Sequence, residues 1–314
     1  MNNLKNRKIL VTGGAGFIGS TIVDRLSPEN EVTVIDNLST GLLSNLAKSR
    51  DRITFIEGDI LDRALVEDIV ARVEFVFHLA ASVGVVKSIE DPFLDMEVNI
   101  RGTLNLLEAC LGSNIERFVY TSSAVVYGEP KYLPIDERHP LSPESPYGIS
   151  KSAAEKYVSI FCNIHGIPTT SLRLFNVYGL GQEGSKYGNV VPILLNKIRE
   201  QEPFTIFGDG NQTRDFVFVG DVVEAHILAA TQSRAIGETF NIASGEHTSV
   251  NELVSIAKQV TDSEVTVVHT EPIDGDIRYS SASIAKAKKL LGYNPKTSIR
   301  EGLLLLDREA KKGK

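Results

Sequence analysis

An α/β fold, a doubly wound parallel sheet with a second and smaller lobe interleaved, is what this sequence predicts, and three observations predict it. Over the first half of the 314 residues, short apolar runs alternate with helix-length amphipathic segments. A glycine-rich turn follows the first apolar run. Beyond about residue 178 the alternation stops. Strand, helix, strand repeated in this way calls for right-handed crossovers between parallel neighbours, which cover both faces of one sheet.

The strands are read from "KILVTG" (8–13), "EVTVID" (31–36), "RITFIEGD" (52–59), "EFVFHLA" (74–80), "RFVYTSS" (117–123) and "PTTSLRLF" (168–175). Helices are expected at 16–27, 62–72, 92–112 and 146–165. Asp62 opens the second of them. The last opens on Ser145-Pro146, where the serine caps a free N–H and a proline at the first helical position lacks the donor that would go unsatisfied. A Gly-rich loop, "YGLGQEGSKYGN", then leads to a helix at 191–201 and a turn at "FGDGNQ". The strand-like "ETFNIASG" (238–245) is expected to rejoin the first sheet. The first domain is thus assigned to 1–178, rejoined by about 214–245, and the second lobe to 179–213 and 246–314.

Composition narrows the function. The chain is 42% hydrophobic and 23% charged, and 33 Lys and Arg against 40 Asp and Glu leave a net charge of −7 with no long basic run. Neither nucleic acid nor an anionic membrane surface is an expected partner. The two cysteines, Cys110 and Cys162, lack metal-ligand spacing and read as buried free thiols, no metal being expected, which fits a reducing cytoplasm. The apolar run near the N-terminus is too short for a signal peptide, and no stretch reaches the roughly 18 apolar residues of a membrane span. A cytoplasmic location is the expectation.

"TGGAGFIGS" (12–20) closes the first strand and opens a helix, with glycines spaced as Gly14-x-Gly16-x-x-Gly19 and Gly13-x-x-Gly16-x-x-Gly19. Such glycines allow a tight turn and let the N–H groups of Phe17 and Ile18 approach a pyrophosphate at the positive end of the helix. A glycine pattern alone reads equally as a tight loop. Asp36, however, ends the second strand where a carboxylate accepts hydrogen bonds from an adenosine ribose, so a dinucleotide is expected. Asp36 repels a 2′-phosphate and its neighbours Asn37 and Leu38 offer no arginine, which favours NAD over NADP. Asp59 and Ile60, ending the third strand, are placed to hold adenine, with a helix N-cap as the other reading of Asp59. Leu79, Ala80 and Ala81 let backbone run close past the cofactor, and Asn99 is a secondary candidate, either exposed or facing the cofactor.

In "SPYGISKSAAEKY" (145–157), Tyr147 lies four positions before Lys151 on the same helix face, so phenol and ammonium converge. Taken alone, the pair reads as well as two surface residues one turn apart. With the glycine motif, Asp59, "TSSAVVYG", "RLFNVYG" (173–179), "FGDGNQTRDFVFVGDV" (207–222) and "GDIRYSSASIAKAKKLLGY" (275–293), however, nearly the whole chain resembles the extended short-chain dehydrogenases. Within them it looks most like the NAD-dependent sugar-nucleotide epimerases and dehydratases.

The resemblance implies a Rossmann domain for the first lobe and a nucleotide-sugar site for the second. It makes Tyr147 the catalytic base, Lys151 its activator and a ligand of the nicotinamide ribose, and Ser123 a partner of the same sugar hydroxyl. A phenol with a pKa near ~10 must be brought down by about 4 kcal/mol to act at neutrality. The family's reactions start with oxidation at sugar C4. Dehydratases carry an Asp–Glu pair after the catalytic hydroxyl, and decarboxylases usually a Glu in that segment, whereas Ala124 and Val125 stand here. The expected outcome is 4-epimerisation of a UDP-hexose, with a dehydratase, a glucuronate epimerase or decarboxylase, and a non-catalytic dinucleotide sensor as alternatives.

Asn176, Arg214 and Arg278 match diphosphate contacts, with a simple ion pair to Asp215 as the other reading of Arg214. Asn189 and Val190 match the segment that meets uracil, and Phe207 a residue packing on that base, or else the core. Many epimerases have an arginine three residues before the equivalent of Asp276, where Ile273 is found; Arg278 is expected to substitute. Counting from Asp276 and from Lys286 places Ser280 where epimerases restricted to UDP-glucose and UDP-galactose have a tyrosine, which implies room for a 2-acetamido group. Lys186 is the only cation of loop 180–188, little to hold a uronate. Helices 92–112 and 146–165 are expected to form a homodimer through a four-helix bundle.

Overall fold

In the first strand, β1 (Lys8–Thr12), Ile9 and Val11 point to one face and Leu10 to the other, and all three are buried. A strand apolar on both faces lies between two layers, and the rest of the first lobe supplies them. The computed structural model describes residues 4–182, 190–273 and 277–312.

From β1 the chain runs through α1 (Phe17–Leu26), β2 (Glu31–Asp36), β3 (Ile53–Glu57), α2 (Arg63–Val70) and β4 (Phe75–His78). It continues through α3 (Val85–Glu90), α4 (Pro92–Met96), a π-helical turn (Glu97–Gly102) and α5 (Thr103–Ala109) to β5 (Arg117–Ser123), α6 (Pro146–His165) and β6 (Thr169–Leu174). Then follow β7 (Asn176–Tyr178), α7 (Val190–Glu200), β8 (Phe204–Phe207), β9 (Thr213–Arg214), β10 (Phe216–Phe218) and α8 (Val219–Thr231). The remainder comprises β11 (Thr239–Ile242), β12 (Thr248–Ser249), α9 (Val250–Thr261), β13 (Val267–Thr270), α10 (Ala285–Leu291) and α11 (Ile299–Lys312).

Seven strands form one sheet in the order β3-β2-β1-β4-β5-β6-β11, with every pairing parallel. Ile9, Val11, Val32, Val34 and Phe77 pack with α1 and α8 on one face; Leu10, Ile35, Val76 and Phe118 pack with α2, α5 and α6 on the other. Strand order reverses between β1 and β4. In sheets of this kind the crevice for ligands opens there, at the carboxyl ends of the strands. Asp62 caps α2 by accepting from Leu65 N at 3.1 Å, and Ser145 caps α6 by accepting from Gly148 N at 3.1 Å.

A third cluster, around Leu194, Phe204, Ile206, Phe216, Leu253 and Leu303, is the core of the second lobe. Its strands pair only in twos, β8 with β13, β9 with β12 and β7 with β10. None of the described helices is long and apolar enough to cross a membrane.

Two expectations change. The helix read at 92–112 is interrupted by the π turn; a Cβ on Gly102 would lie 2.4 Å from the Ile60 side chain, so this turn seats directly on the end of the third strand. And Ala282, Ile284, Ala287, Leu291 and Tyr293 join the first-lobe cluster on the α8 face, so α10 leaves the segment assigned to the second lobe.

Candidate active site

The crevice wall beside β1 is made of backbone. Gly13 has φ +69°, and a Cβ there would lie 2.7 Å from Ala80 N, because the ends of β1 and β4 run almost in contact. At Gly19 a Cβ would lie 2.2 Å from Gly13 O, so only glycine lets α1 start this close to the turn. Neither a capping side chain nor a first-turn acid occupies the start of α1, which leaves the N–H groups of Phe17, Ile18 and Gly19 for an anion.

Asp36 ends β2 with its carboxylate fixed: Oδ2 accepts from Ala15 N at 2.9 Å and Oδ1 from Leu38 N at 2.8 Å. Each oxygen keeps a lone pair for a ribose hydroxyl. Asn37 Nδ2 donates to Asp59 Oδ2 at 2.9 Å, and Asp59 Oδ1 accepts from Leu61 N at 2.9 Å, so Asp59 ties the ends of β2 and β3 together rather than capping α2. Ile60 is buried and turns its side chain into the core against Gly102.

Leu79, Ala80 and Ala81 cross the crevice after β4. Thr12 Oγ1 accepts from Leu79 N and Ala80 N, both at 3.2 Å, and so has its proton to give to His78 Nδ1, 2.7 Å away. His78 Nε2 then meets Thr103 Oγ1 at 2.9 Å, and Thr103 donates to Asn99 O at 2.6 Å. Burial holds the His78 pKa down at about 3, so this imidazole is a neutral strut. Asn99 is itself buried. Its Oδ1 accepts from Ser82 N at 2.9 Å, while Nδ2 faces Ser82 O at 3.2 Å and both Asp95 Oδ1 and Ser150 Oγ at 3.0 Å.

Tyr147 and Lys151 lie on the first turns of α6 and reach the end of β5. The phenol of Tyr147 lies near the Ser123 side chain, which acts to lower its pKa. Lys151 Nζ donates to Thr121 O at 2.9 Å and lies over the Tyr120 ring, 5.0 Å from its centroid. The two side chains therefore meet alternate residues of one strand end, Ser123 and Thr121, rather than a single point. Burial, reinforced by Asp95, raises the phenol to about 12, whereas burial brings Lys151 down to about 8. Burial thus leaves the phenol further from a base than a free tyrosine. Main-chain geometry holds Tyr147 as well, its N–H donating to Ser88 Oγ at 3.1 Å.

On the second lobe, Thr213 N donates to Arg278 O at 3.0 Å and Ser280 N to Thr213 O at 3.1 Å, which puts Arg214, Arg278 and Ser280 on adjoining segments. Arg278 Nη2 pairs with Asp209 Oδ2 at 2.6 Å, with both side chains about half exposed. Arg214 Nη1 donates to Thr213 O at 2.9 Å and to Ile277 O. Its neighbour Asp215 instead accepts from Ser244 N and Oγ and from Gly245 N, so the Arg214–Asp215 ion pair considered from the sequence is not formed. Phe207 is 47% exposed, which removes the core-packing reading. Asn176 starts β7, its N–H on Asp215 O at 3.1 Å, and Val190 starts α7. Asn189 and Asp276 lie outside the described residues.

Residues 9–243 match the model of the NAD dependent epimerase/dehydratase family. The chain belongs to that family. A putative UDP-glucose 4-epimerase of Methanocaldococcus jannaschii is 42% identical over 298 residues, 94% of this chain and 95% of that one. UDP-glucose 4-epimerase from Thermotoga maritima, solved with UDP-glucose, superposes with a TM-score of 0.92 at 40% identity, covering 98% of this chain and 99% of that one. The UDP-N-acetylglucosamine 4-epimerase of Methanobrevibacter ruminantium, in complex with UDP-N-acetylmuramic acid, gives 0.92 at 35%, covering 98% and 100%. UDP-glucuronic acid 4-epimerase from Bacillus cereus, with UDP-glucuronic acid and NAD, gives 0.88 at 31%, covering 98% and 100%.

The cofactor of this epimerase/dehydratase family member is NAD, and the donor set fits it: free N–H groups at a glycine-flanked helix start, and a fixed carboxylate where the ribose hydroxyls belong. Thr12, Ser82, Ser88, Asp95 and Ser150, which support the site, were not singled out from the sequence. Only Asp95 carried a signal, its i, i+4 spacing to Asn99.

Proposed function

We propose that the protein is a UDP-hexose 4-epimerase working through a 4-keto intermediate. The observation that carries this reading is the end of β5: the buried Tyr147 phenol lies where the Ser123 side chain acts on it, while the turn that follows opens on Ala124 and Val125, neither of which can move a proton. Tyr147 takes the proton of the sugar C4 hydroxyl, and Ser123 orients that hydroxyl. NAD, held by the α1 N–H groups and Asp36, would supply the hydride chemistry at C4 and a positive charge that favours the phenolate. Bringing a phenol from about 12 to neutrality takes about 7 kcal/mol, more than the free-tyrosine value implies, so activation rests on the assembled site. Lys151 contributes its ammonium from below and a ribose contact.

For the ketose to turn over, the nucleotide must be held and the sugar left loose. Arg214, Arg278 and Asn176 are assigned to the diphosphate, and Phe207 with the Asn189–Val190 segment to the uracil. Asp36, Asn37, Asp59 and the Leu79–Ala81 run face the cofactor, Asn99 supporting them. Ser280 is assigned to the sugar pocket, where its small side chain leaves room for a 2-acetamido group. The N-acetylglucosamine-directed neighbour supports this breadth. A glucuronate-directed neighbour also exists, so a uronate ranks as the second reading.

The test is to incubate purified protein separately with UDP-galactose, UDP-N-acetylgalactosamine and UDP-glucuronate and to resolve the C4 epimers chromatographically. Turnover of the first two is expected. Turnover of the first alone removes the role given to Ser280, and preference for the third overturns the ranking.

The same helices carry the proposed assembly. On α6, Ile149, Tyr157, Ile160 and Ile164 form an exposed apolar stripe at helical spacing, with Phe93 of α4 exposed too. A homodimer through this face is expected, and sedimentation showing a monomer at micromolar concentration excludes it.

A further inference from the structure

We propose that Asp95 is a positioning residue of the catalytic site: through Asn99 it locks the loop after β4 to the first turns of α6, and its carboxylate is the buried counter-charge of the Lys151 ammonium. The inference deepens the epimerase reading and rests on it.

Asp95 is 1% exposed, on the short helix α4. Its Oδ1 accepts from Asn99 Nδ2 at 3.0 Å, while Oδ2 is buried without a hydrogen-bond partner. A buried carboxylate with an unpartnered oxygen is costly unless a charge nearby compensates it. The charges around it identify the compensation. Burial raises the Asp95 carboxyl, and Ser150 and the Lys151 ammonium, both on α6, act against that rise; Asp95 in turn raises Lys151. Ser150 Oγ also donates to Tyr147 O at 3.1 Å. Asn99 and Ser150 thereby connect Ser82 after β4, Asp95 on α4 and the Tyr147 backbone on α6, three separate segments.

The titratable groups facing this cluster are Lys151 and Tyr147 on α6, Tyr120 on β5 and His78 on β4, with Glu155 acting on Tyr120 from α6. His78 is neutral and the Tyr120 phenol is pushed well up, so neither changes charge near neutrality. The negative charge of Asp95 raises both Tyr147 and Lys151. Removing it lowers both. The acid limb of the rate profile, where Tyr147 must lose its proton, and the alkaline limb, where Lys151 must keep its own, then move together toward lower pH.

The experiment compares wild-type protein with Asp95→Asn, Asp95→Ala and Ser150→Ala over pH, recording kcat and KM for UDP-galactose, NAD affinity by calorimetry and melting temperature. In both Asp95 variants kcat is expected to fall about tenfold with KM for the UDP-sugar little changed, and the whole profile to shift acidward by about one unit. Ser150→Ala, which keeps the charge, is expected to lower kcat without a shift. In parallel, ultraviolet titration of the cofactor-free proteins, with Tyr147→Phe as the reference, reads the phenol directly and should show it lowered in the Asp95 variants. A folded Asp95 variant whose profile and phenol titration stay in place overturns the proposal, as does an acidward shift in Ser150→Ala equal to theirs. If neither Asp95 variant folds, Asn99→Ala decides: retained NAD affinity and kcat there overturn the lock, and their joint loss supports it. Wild-type protein that turns over no UDP-sugar refutes the epimerase reading instead, and the two failures are thereby distinguished.

Discussion

On the cofactor side of the crevice, the groups that face a ligand are backbone N–H groups at the start of α1 and a carboxylate, Asp36, held by two others. On the second lobe the side chains proposed to face a ligand are Phe207 and Arg278, about half exposed, the latter paired with Asp209. The first side is preorganised, since its geometry is that of a glycine turn packed against strand ends and cannot relax. Under the proposed function, the second must rearrange its side chains to take up a diphosphate. Preorganisation lowers the entropic cost of binding and suits a cofactor that stays put. A substrate that must enter, turn over and leave is better served by contacts already satisfied in its absence.

The largest expected effect lies between the two sides. Tyr147→Phe removes a proton acceptor and little volume, so kcat should fall by about a thousandfold or more while affinities for NAD and UDP stay within about twofold. Calorimetry on the variant checks the second half of this statement. Substantial turnover would show that the base lies elsewhere.

Gly19→Ala tests the rigid side. The added methyl would meet the backbone of the turn, Gly13 O at 2.2 Å and Gly14 Cα at 2.8 Å, so α1 must shift from the turn. Overpacking of this kind costs about 1–3 kcal/mol, and NAD affinity should fall at least tenfold with the displaced N–H groups. UDP affinity is expected to be nearly unchanged, because the second lobe has a core of its own. Loss of both affinities together would show that the two sides are not separable.

Why the first side was legible in the sequence and the second much less follows from the same contrast. Glycines, an acid at a strand end and period-two apolar runs are local signals, and they located β1 to β6, α1, α2 and α6 with boundaries off by at most two residues, and the rejoining strand β11 to within three. Chemistry that depends on which distant side chains meet has no such signal. The π turn that breaks the helix at 97–102, the docking of α10 on the first lobe and the Thr12–His78–Thr103 strut all arise from packing between segments 25 or more residues apart. So too with charge: i, i+4 spacing paired Tyr147 with Lys151, yet only the fold reveals that Lys151 bonds to Thr121 O and that burial raises the phenol.

Asp36→Ala sharpens the comparison within the rigid side. Without the carboxylate, Ala15 N and Leu38 N lose their acceptor as well as the ribose, so NAD affinity should fall about tenfold. Discrimination against NADP should narrow, since no negative charge remains to repel a 2′-phosphate. Titration of the variant with both cofactors measures this, and an unchanged NAD to NADP ratio would place ribose recognition elsewhere.

The smallest effect is expected on the adaptable side. Asp209 holds Arg278 by an ion pair in the open, and its carboxylate is kept well below the usual range by the guanidinium first and by Asn211 N second. Exposed pairs of this kind contribute little to stability. A depressed carboxylate contributes only above its unfolded pKa, and loses that contribution as pH falls through the folded value, so nothing in it changes between pH 6 and 9. Asp209→Asn keeps an oxygen for Asn211 N, which the wild-type Oδ1 accepts at 3.0 Å, and removes the charge that competes for Arg278. If the substrate diphosphate must take Arg278 from Asp209, the variant binds UDP more tightly, by less than about threefold, with kcat and melting temperature unchanged. Weaker UDP binding would instead mean that Asp209 holds the guanidinium in its binding position, and the second lobe would then be as preorganised as the first.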